Sequence, residues 1–514
     1  MLDAIINLFG LGRIWCSARK RRCHASAVRR TTPIPSWILA ALCVLASGCL
    51  ARFLGGDYHD SQPYAFMARI HAARDESDMT VMLVRRARAL LHSAERDGVR
   101  GAPHDHHFHL IGFASGRRLA CAELLDAHDR AGLREPERLP ELRFSEDNLR
   151  LHPDYDDVIG VRTVLRQVLA NANRIDDDDR ANEQYLKRIL DLAVAADLGG
   201  TYYLYAFDYR FDPPGLQPSR DRSDLYVSND YAIAVAECLT QLAKHLAAKR
   251  GLRAPSFEPV ASVHPHRPDA LSELERLAKL GVRHLKWLPP AQHIDPADPR
   301  LDPFYRALAE HGIVLLSHTG KEHTLRVADG DEDLGNPLRL RRALEAGVTV
   351  VMLHAGREGE EQSGARRSYF ERFLQMMREP TYRGRLFGEI SVLPYVGTQD
   401  EMAVIFADPE LRCRMLDGSD YPNPALHIVR MLSKDLFASR GPLRWSDAEP
   451  LGALRARRDA LDTIRRQNPV LYDFVLKRSL RFRIQGRLEP LPDAVFYDLP
   501  TKLAHPQLGC SPIE

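Results

Sequence analysis

Several signatures are missing from this chain of 514 residues, and each absence removes a class of function. There is no G-x-S-x-G elbow, so a serine nucleophile of the α/β-hydrolase kind has no turn to sit on. There is no G-x-x-x-x-G-K-S/T loop and no G-x-G-x-x-G fingerprint, which removes the usual phosphate cradle and dinucleotide site. The eight cysteines include no CxxC pair, so neither a zinc ribbon nor a disulfide framework is expected. Cys121, Cys238, Cys413 and Cys510 are scattered and suit either redox compartment. Net charge is only +2, which points to no nucleic acid or other charge-driven partner. No repeat of solenoid type is visible.

Charge is also missing locally. None occurs between Arg30 and Arg52, and the apolar run "PIPSWILAALCVLASGCLARFL" follows a basic arm containing Arg13, Arg19, Lys20, Arg21, Arg22, Arg29 and Arg30. Its dense apolar part is short for a span of about 20 residues. Basic flank, apolar stretch and the small residues Ala46, Ser47 and Gly48 resemble a secretory signal. "LASGC" resembles a lipoprotein processing site, with Ala46 where leucine is usual. The expectation is a basic segment at 1–34 and a signal or membrane anchor at 35–54, which attaches the protein to a membrane or exports it. The main domain then lies outside the cytoplasm, on the periplasmic side in a bacterium. A buried helix or a start placed too early, leaving the protein cytoplasmic, is the alternative.

Residues 55–103 read as a helical lead-in, with an amphipathic helix over Met79–Gly98 stopped by glycine. From residue 104 to about 440, short β-rich apolar runs alternate with helical segments. The runs are "HFHLIGF", "TYYLYAF", "FEPVASV", "VRHLKWL", "IVLLSH", "VTVVMLH", "LFGEISVL" and "CRMLDGSD". Intervening patterns such as "DALSELERLAKLG" and "PLRLRRALEAG" end in glycine, a common helix stop. Alternating strands and helices imply βαβ units and a parallel sheet. Eight such units predict an α/β fold of the (β/α)8 TIM-barrel type, with an open doubly wound sheet as the rival. The segment 114–200 exceeds one βα unit and reads as an insertion of helical excursions, with a cover over the barrel mouth as one role open to it. Its acidic run "RIDDDDR" reads as a solvated loop. Residues 441–514 read as a C-terminal helical extension against the barrel exterior.

The stretch "HDHHFHLIGF" holds four histidines within six residues. In a strand, residues i and i+2 share a face, so His107 and His109 project together. Alone, such a pair reads equally as two core histidines. Three later strand ends carry further candidates: His318 in "LLSHTG", His354 in "VMLHAG" and Asp420 in "LDGSDYP". Barrel active sites form where strands end at the C-terminal face. Imidazoles and a carboxylate converging there suit zinc, manganese or iron.

With these residues in hand, 104–440 resembles the amidohydrolase superfamily in its amidohydrolase-related branch, through "DHHFH", "SHTG", "LHAG" and "GSDYP". The resemblance implies a distorted barrel with one or two divalent metals per chain, zinc first among the candidates. It implies His107 and His109 as the first ligand pair and His318 as the fifth-strand ligand. His354 would bind a second metal or support a ligand. Asp420 would hold metal and shuttle the proton, and with His354 it forms the catalytic pair. Lys286, in "HLKWLPP", matches the fourth-strand lysine that binuclear members carboxylate to bridge two metals; an unmodified lysine binding an anionic group is the other reading. His104 and His106 fall outside the pattern.

Arg267, Arg357 and Lys321 are candidate contacts to a substrate carboxylate, and Asp208 and Glu389 are candidates to orient ligands. Ordinary loop chemistry is the competing reading of the three cations. The functional expectation is a metal-dependent hydrolase acting on an amide, lactone or other ester of a small organic molecule. A non-oxidative decarboxylase of the same branch is the alternative. A non-catalytic, membrane-attached barrel is the third reading, and the intact ligand set argues against it.

Overall fold

The computed structural model of the chain describes residues 54–505, apart from 57, 76, 92–101, 152–160, 213–216, 362–367, 396–398, 428, 430–435, 437, 439 and 440. The expected targeting segment 35–54 lies outside the described residues except for Leu54, as does the basic arm before it. Among the described residues, no helix is long and apolar enough to cross a membrane.

All eight expected runs are strands: β1 (Asp105–His109), β2 (Thr201–Tyr205), β3 (Ser256–Val260), β4 (His284–Trp287), β5 (Val314–Gly320), β6 (Val350–Arg357), β7 (Leu386–Glu389) and β8 (Met415–Leu416). β1–β3 form one parallel sheet and β4–β8 another, both in chain order. The sheets meet at two seams. At one, Ala261 pairs with Leu285, and at the other Phe108 pairs with Tyr421. Asp420 N donates to His107 O at 2.8 Å and Lys286 N to Ala261 O at 2.7 Å, so both seams carry backbone hydrogen bonds. This is the circular strand order of the TIM barrel.

The strands read as near-continuous apolar runs because both of their faces are covered. Alternate residues divide between two cores. Tyr203, Tyr205, Leu316, Val351, Leu353, Phe387 and Leu416 fill the barrel interior. Leu204, Leu315, Val350 and Met352 pack outward against the helices. Each buried side chain of this size contributes about 1.5–3 kcal/mol of transfer free energy. Helices α1 (Ala270–Lys279) and α2 (Arg341–Glu345) are closed by Gly281 and Gly347, which take left-handed φ values of 84° and 91°. That conformation carries no Cβ penalty in glycine.

Three features depart from the sequence expectations. The 114–200 insertion is mixed rather than helical: Arg118–Ala120 pairs antiparallel with Glu141–Arg143, and Leu149–Leu151 pairs with Leu225–Val227. These three-residue strands are too short for a period-2 pattern to register. The extension continues beyond its helices, Leu451–Gln467 and Pro469–Ser479, into a hairpin of Arg481–Ile484 with Arg487–Pro490. Its Leu499 joins the barrel's inner apolar layer, so part of the extension enters the barrel. Finally, Cys121 and Cys238 are joined by a disulfide with a Cα–Cα distance of 5.7 Å. It ties the insertion to the long helix Asn229–Arg250 across 117 residues, a separation at which spacing gives no sign of pairing. The lead-in helix is present as Met79–Arg88, while 92–98 of the expected helix lie outside the described residues.

Candidate metal centre

β1 solves a parity problem. Its register slips between Asp105 and Phe108, so three residues of β1 advance against two of β2. A bulge of this kind re-aims side chains. His106 below it stacks on the inward Tyr203 at 4.9 Å, and His107 above it contacts the inward Tyr205 at 4.8 Å. Successive histidines therefore both face the interior. His106 Nδ1 lies 2.9 Å from the Asp417 carbonyl and belongs to the barrel's lower layer.

His107 and His109 meet at the top, with their Nε2 atoms 3.1 Å apart. Asp420 Oδ1 lies 2.9 Å from His109 Nε2 and 3.3 Å from His107 Nε2. Three donors thus converge with mutual spacings of 2.9–3.3 Å. A tetrahedral ion with bonds of about 2.0 Å has ligand–ligand edges of about 3.3 Å. Gly418 makes this approach possible, since a Cβ there would come within 2.6 Å of both His107 Cβ and Glu389 Oε1.

His318 and His354 face the same cavity, their rings 4.8 Å apart, and the His354 ring is 5.0 Å from that of His107. His318 Nε2 and Lys286 Nζ are buried there without a hydrogen-bond partner. Lys286 Nζ lies 5.0 Å from the centre of the Tyr205 ring. His354 and Asp420 both adopt left-handed backbone, with φ of 62° and 53°.

Glu389 organises the floor. Its Oε2 lies 3.4 Å from His107 Nδ1 and accepts from Ser391 Oγ at 3.0 Å. Ser391 Oγ is in turn 3.0 Å from His354 Nδ1. One carboxylate therefore holds His107 directly and His354 through a serine, an arrangement that orients imidazole ligands. Asp208 sits elsewhere: it accepts from His264 N at 2.8 Å and from Arg267 at 3.1 Å.

Protonation states match the needs of ligation, which calls for neutral imidazoles and ionised carboxylates. Burial holds His107 and His354 well below the usual imidazole range and His318 at about 4. Burial pushes the Asp420 carboxyl up, but His107 and His109 outweigh it and hold Asp420 well below the usual carboxylate range. Burial draws Lys286 down to about 8, which leaves a fraction of free amine near neutrality. Glu389, which touches the imidazoles from behind, departs from this pattern: burial pushes its carboxyl well above the usual carboxylate range. The orphaned His318 and Lys286 nitrogens, beside three converged donors, fit a divalent ion.

The cavity above these donors measures about 480 Å³. Its walls are largely aliphatic, with Ile111, Leu151, Leu169, Leu225, Leu288 and Leu426 prominent. The three sequence-picked cations divide. Lys321 and Arg357 line the cavity, and Arg357 is paired with Glu358. Arg267 does not line it and is paired with Asp208 and Asp269. Residues that sequence reasoning passed over also border the site: Glu322, His323 and Glu358 in the loops after β5 and β6, and Ser391 beyond β7. "HTGKEH" and "GEIS" were the available signals, but their polar residues look like ordinary loop content.

A model of the amidohydrolase family matches residues 104–440. No curated protein matches the chain. Among solved structures, an uncharacterised TIM-barrel protein from Bordetella bronchiseptica is 18% identical, the match covering 62% of this chain and 97% of that one, with a TM-score of 0.34. The 5-carboxyvanillate decarboxylase from Sphingomonas paucimobilis is 13% identical over 71% and 98% of the two chains, with a TM-score of 0.29. The 4-oxalomesaconate hydratase from Rhodopseudomonas palustris is 13% identical over 73% and 98%, with a TM-score of 0.30. The family match takes in all eight strands and every donor that converges on the cavity, and the chain is a metal-dependent enzyme of the amidohydrolase family.

Proposed function

We propose that the protein hydrolyses an amide, lactone or other ester of a small, largely apolar organic molecule. The observation that carries this reading is the convergence of His107 Nε2, His109 Nε2 and Asp420 Oδ1 at the foot of an aliphatic cavity. A divalent ion bound there, zinc being the metal best suited to the donors, supplies Lewis acidity for a substrate oxygen and acidifies water.

The chain's own residues then have distinct tasks. Asp420, kept ionised, takes the proton of the attacking water and passes it to the leaving group. Asn423 Nδ2 donates to Asp420 Oδ2 at 2.7 Å and fixes its plane. Glu389 and Ser391 hold His107 and His354 in their rotamers. His354, neutral and facing the cavity, is placed to contact the reacting group or a second ion. Lys286, if carboxylated, would help to hold a second ion; as the amine, it binds a developing anion. The aliphatic walls exclude water and receive the organic part of the substrate.

Decarboxylation, the alternative, needs the metal to orient a substrate acid, and Lys286 and Lys321 in the cavity lining are cations that could hold one, so only assay separates the two reactions. The test is a panel of esters, lactones and amides assayed beside aromatic acids monitored for carbon dioxide release, using metal-loaded protein. Ester or lactone opening that falls at least a hundredfold in Asp420→Asn supports the proposal. Carbon dioxide release without any hydrolysis replaces it with the lyase.

We also propose that the protein works outside the cytoplasm, held to a membrane or exported through residues 35–54. The Cys121–Cys238 disulfide supports this, because such bonds persist in oxidising compartments. Alkylation of cells with and without prior reduction tests it: Cys121 and Cys238 thiols that react without reduction contradict the placement.

A further inference from the structure

A second cavity, of about 530 Å³, is lined by residues of the lead-in and the insertion. The lead-in supplies Tyr58, and the insertion supplies Asn173, Arg174, Lys187, Arg188 and Asp191. Asn173 connects this cavity to the metal centre, since its Oδ1 accepts from the hydroxyl of Tyr421 at 2.8 Å. Tyr421 directly follows Asp420 in the chain.

Arg188 is the unusual member. It is 5% exposed. Nη1 donates to Ser61 Oγ at 3.0 Å. Nε and Nη2 are buried and have no hydrogen-bond partner. Those two nitrogens form the side-on edge of the guanidinium, whose parallel N–H bonds match the two oxygens of a carboxylate or phosphate. The face of the group is partly compensated, with Cζ 5.6 Å from the centre of the Tyr58 ring. Among the described residues, its edge has no hydrogen-bond partner.

Among the described residues, the acidic groups of this cavity are already engaged. Asp191 is engaged by Lys187 Nζ at 2.8 Å and by the Tyr64 hydroxyl at 3.1 Å. Asp176, also in the wall, accepts from Gln184 Nε2. Arg174 adds a further cation, its Nη1 on the Ser61 carbonyl at 3.0 Å. A guanidinium taken from water without a counter-charge is strongly unfavourable, and a bound anion removes that penalty.

We propose that this cavity is an anion site separate from the metal centre, in which Nε and Nη2 of Arg188 grip both oxygens of a carboxylate or phosphate group. Arg174 adds to the attraction, and the cavity accommodates the rest of a small molecule. The group is either part of a free metabolite or the headgroup of a lipid. Through Asn173 and Tyr421, occupancy bears on the position of Asp420.

The experiment is calorimetric titration of the full-length, metal-loaded chain with inorganic phosphate, succinate and sn-glycerol 3-phosphate. Arg188→Gln and Arg188→Lys are titrated in parallel after circular dichroism has confirmed their fold. The expected result is binding of at least one anion at one per chain, weakened about tenfold or more in both variants. Arg188→Lys keeps the charge and loses the fork, so its loss separates a two-point grip from simple attraction. Preference for the glycerol phosphate indicates a lipid headgroup, and preference for phosphate or succinate indicates a free anion. Failure of all three to bind the wild type overturns the proposal. So does wild-type affinity in Arg188→Lys, since an anion held only by the metal donors survives that change. Neither outcome bears on hydrolysis at the metal centre, which is assayed separately.

Discussion

Replacing Lys477 by methionine should destabilise the protein by about 3–5 kcal/mol, the usual cost of breaking a buried ion pair from one side. Lys477 is fully buried. Its Nζ donates to Asp417 Oδ1 at 2.7 Å, to the Gly418 carbonyl at 2.7 Å and to Asp473 Oδ2 at 2.8 Å. An ammonium has three protons, and all three are used. Methionine fills much of the same space but strands two carboxylates away from water. Unfolding entropy of about 2.1 cal/mol/K per residue gives a chain of this length about 1 kcal/mol/K, so the thermal midpoint should fall by about 3–5 °C. Calorimetry at pH 7 on metal-loaded wild type and variant measures this. The double variant Lys477→Met/Asp473→Asn removes one stranded charge and should recover part of the loss. Because Gly418 lies two residues before Asp420, the single variant should also retain less metal after dialysis. A midpoint within 1 °C of wild type, or a double variant less stable than the single, would refute the reasoning.

Other perturbations probe other parts of the molecule. His107→Ala and Asp420→Ala should each lose metal and activity while keeping wild-type circular dichroism; metal at wild-type stoichiometry in both, by elemental mass spectrometry, rejects the site. Lys502 is buried, its Nζ on the Cys413 carbonyl at 2.9 Å, and burial draws its pKa from 10.5 to about 7. Between those values the unfolded chain binds a proton that the folded chain does not, so stability should rise with pH from about 7 to 10.5. The slope contributed is at most about 1.4 kcal/mol per pH unit, and Lys502→Met should remove it in urea titrations at pH 7 and 9. Removing the disulfide with Cys121→Ser/Cys238→Ser releases a loop of 117 residues, for which chain entropy gives about 5 kcal/mol, and a shift of the urea midpoint under 0.3 M would contradict that estimate. Arg267→Ala should leave kcat/KM within about twofold of wild type, since its guanidinium is spent on Asp208 and Asp269; a tenfold loss would place it at the substrate.

The barrel was legible because strands covered on both faces read as short apolar runs, and even the two-residue ladder of β8 was announced by "GSDYP". The five His and Asp candidates were legible for a related reason: His318, His354 and Asp420 end their runs, His107 and His109 share a face of the first, and all five border one cavity. Side-chain direction was less so. Alternation alone gives His107 and His109 a common face, but it cannot foresee a bulge that also brings His106 inward. Arg267 follows β3 closely in sequence, yet nothing in its neighbourhood foretold that Asp208 would turn it from the cavity. The disulfide and the entry of Leu499 into the barrel depend on contacts between distant parts of the chain, which no local pattern encodes.

The left-handed backbone at His354 and Asp420 has an evolutionary consequence. L-residues avoid that region, at about 1–3 kcal/mol each, and the surrounding hydrogen bonds must hold them there. Glycine at either position would release the strain but remove the functional group. Selection for stability alone would therefore drive both sites toward glycine, whereas selection for chemistry keeps histidine and aspartate. A library screened only for thermal resistance should drift toward inactivity first at these two positions, and the direction of that drift would reveal them without any knowledge of the substrate.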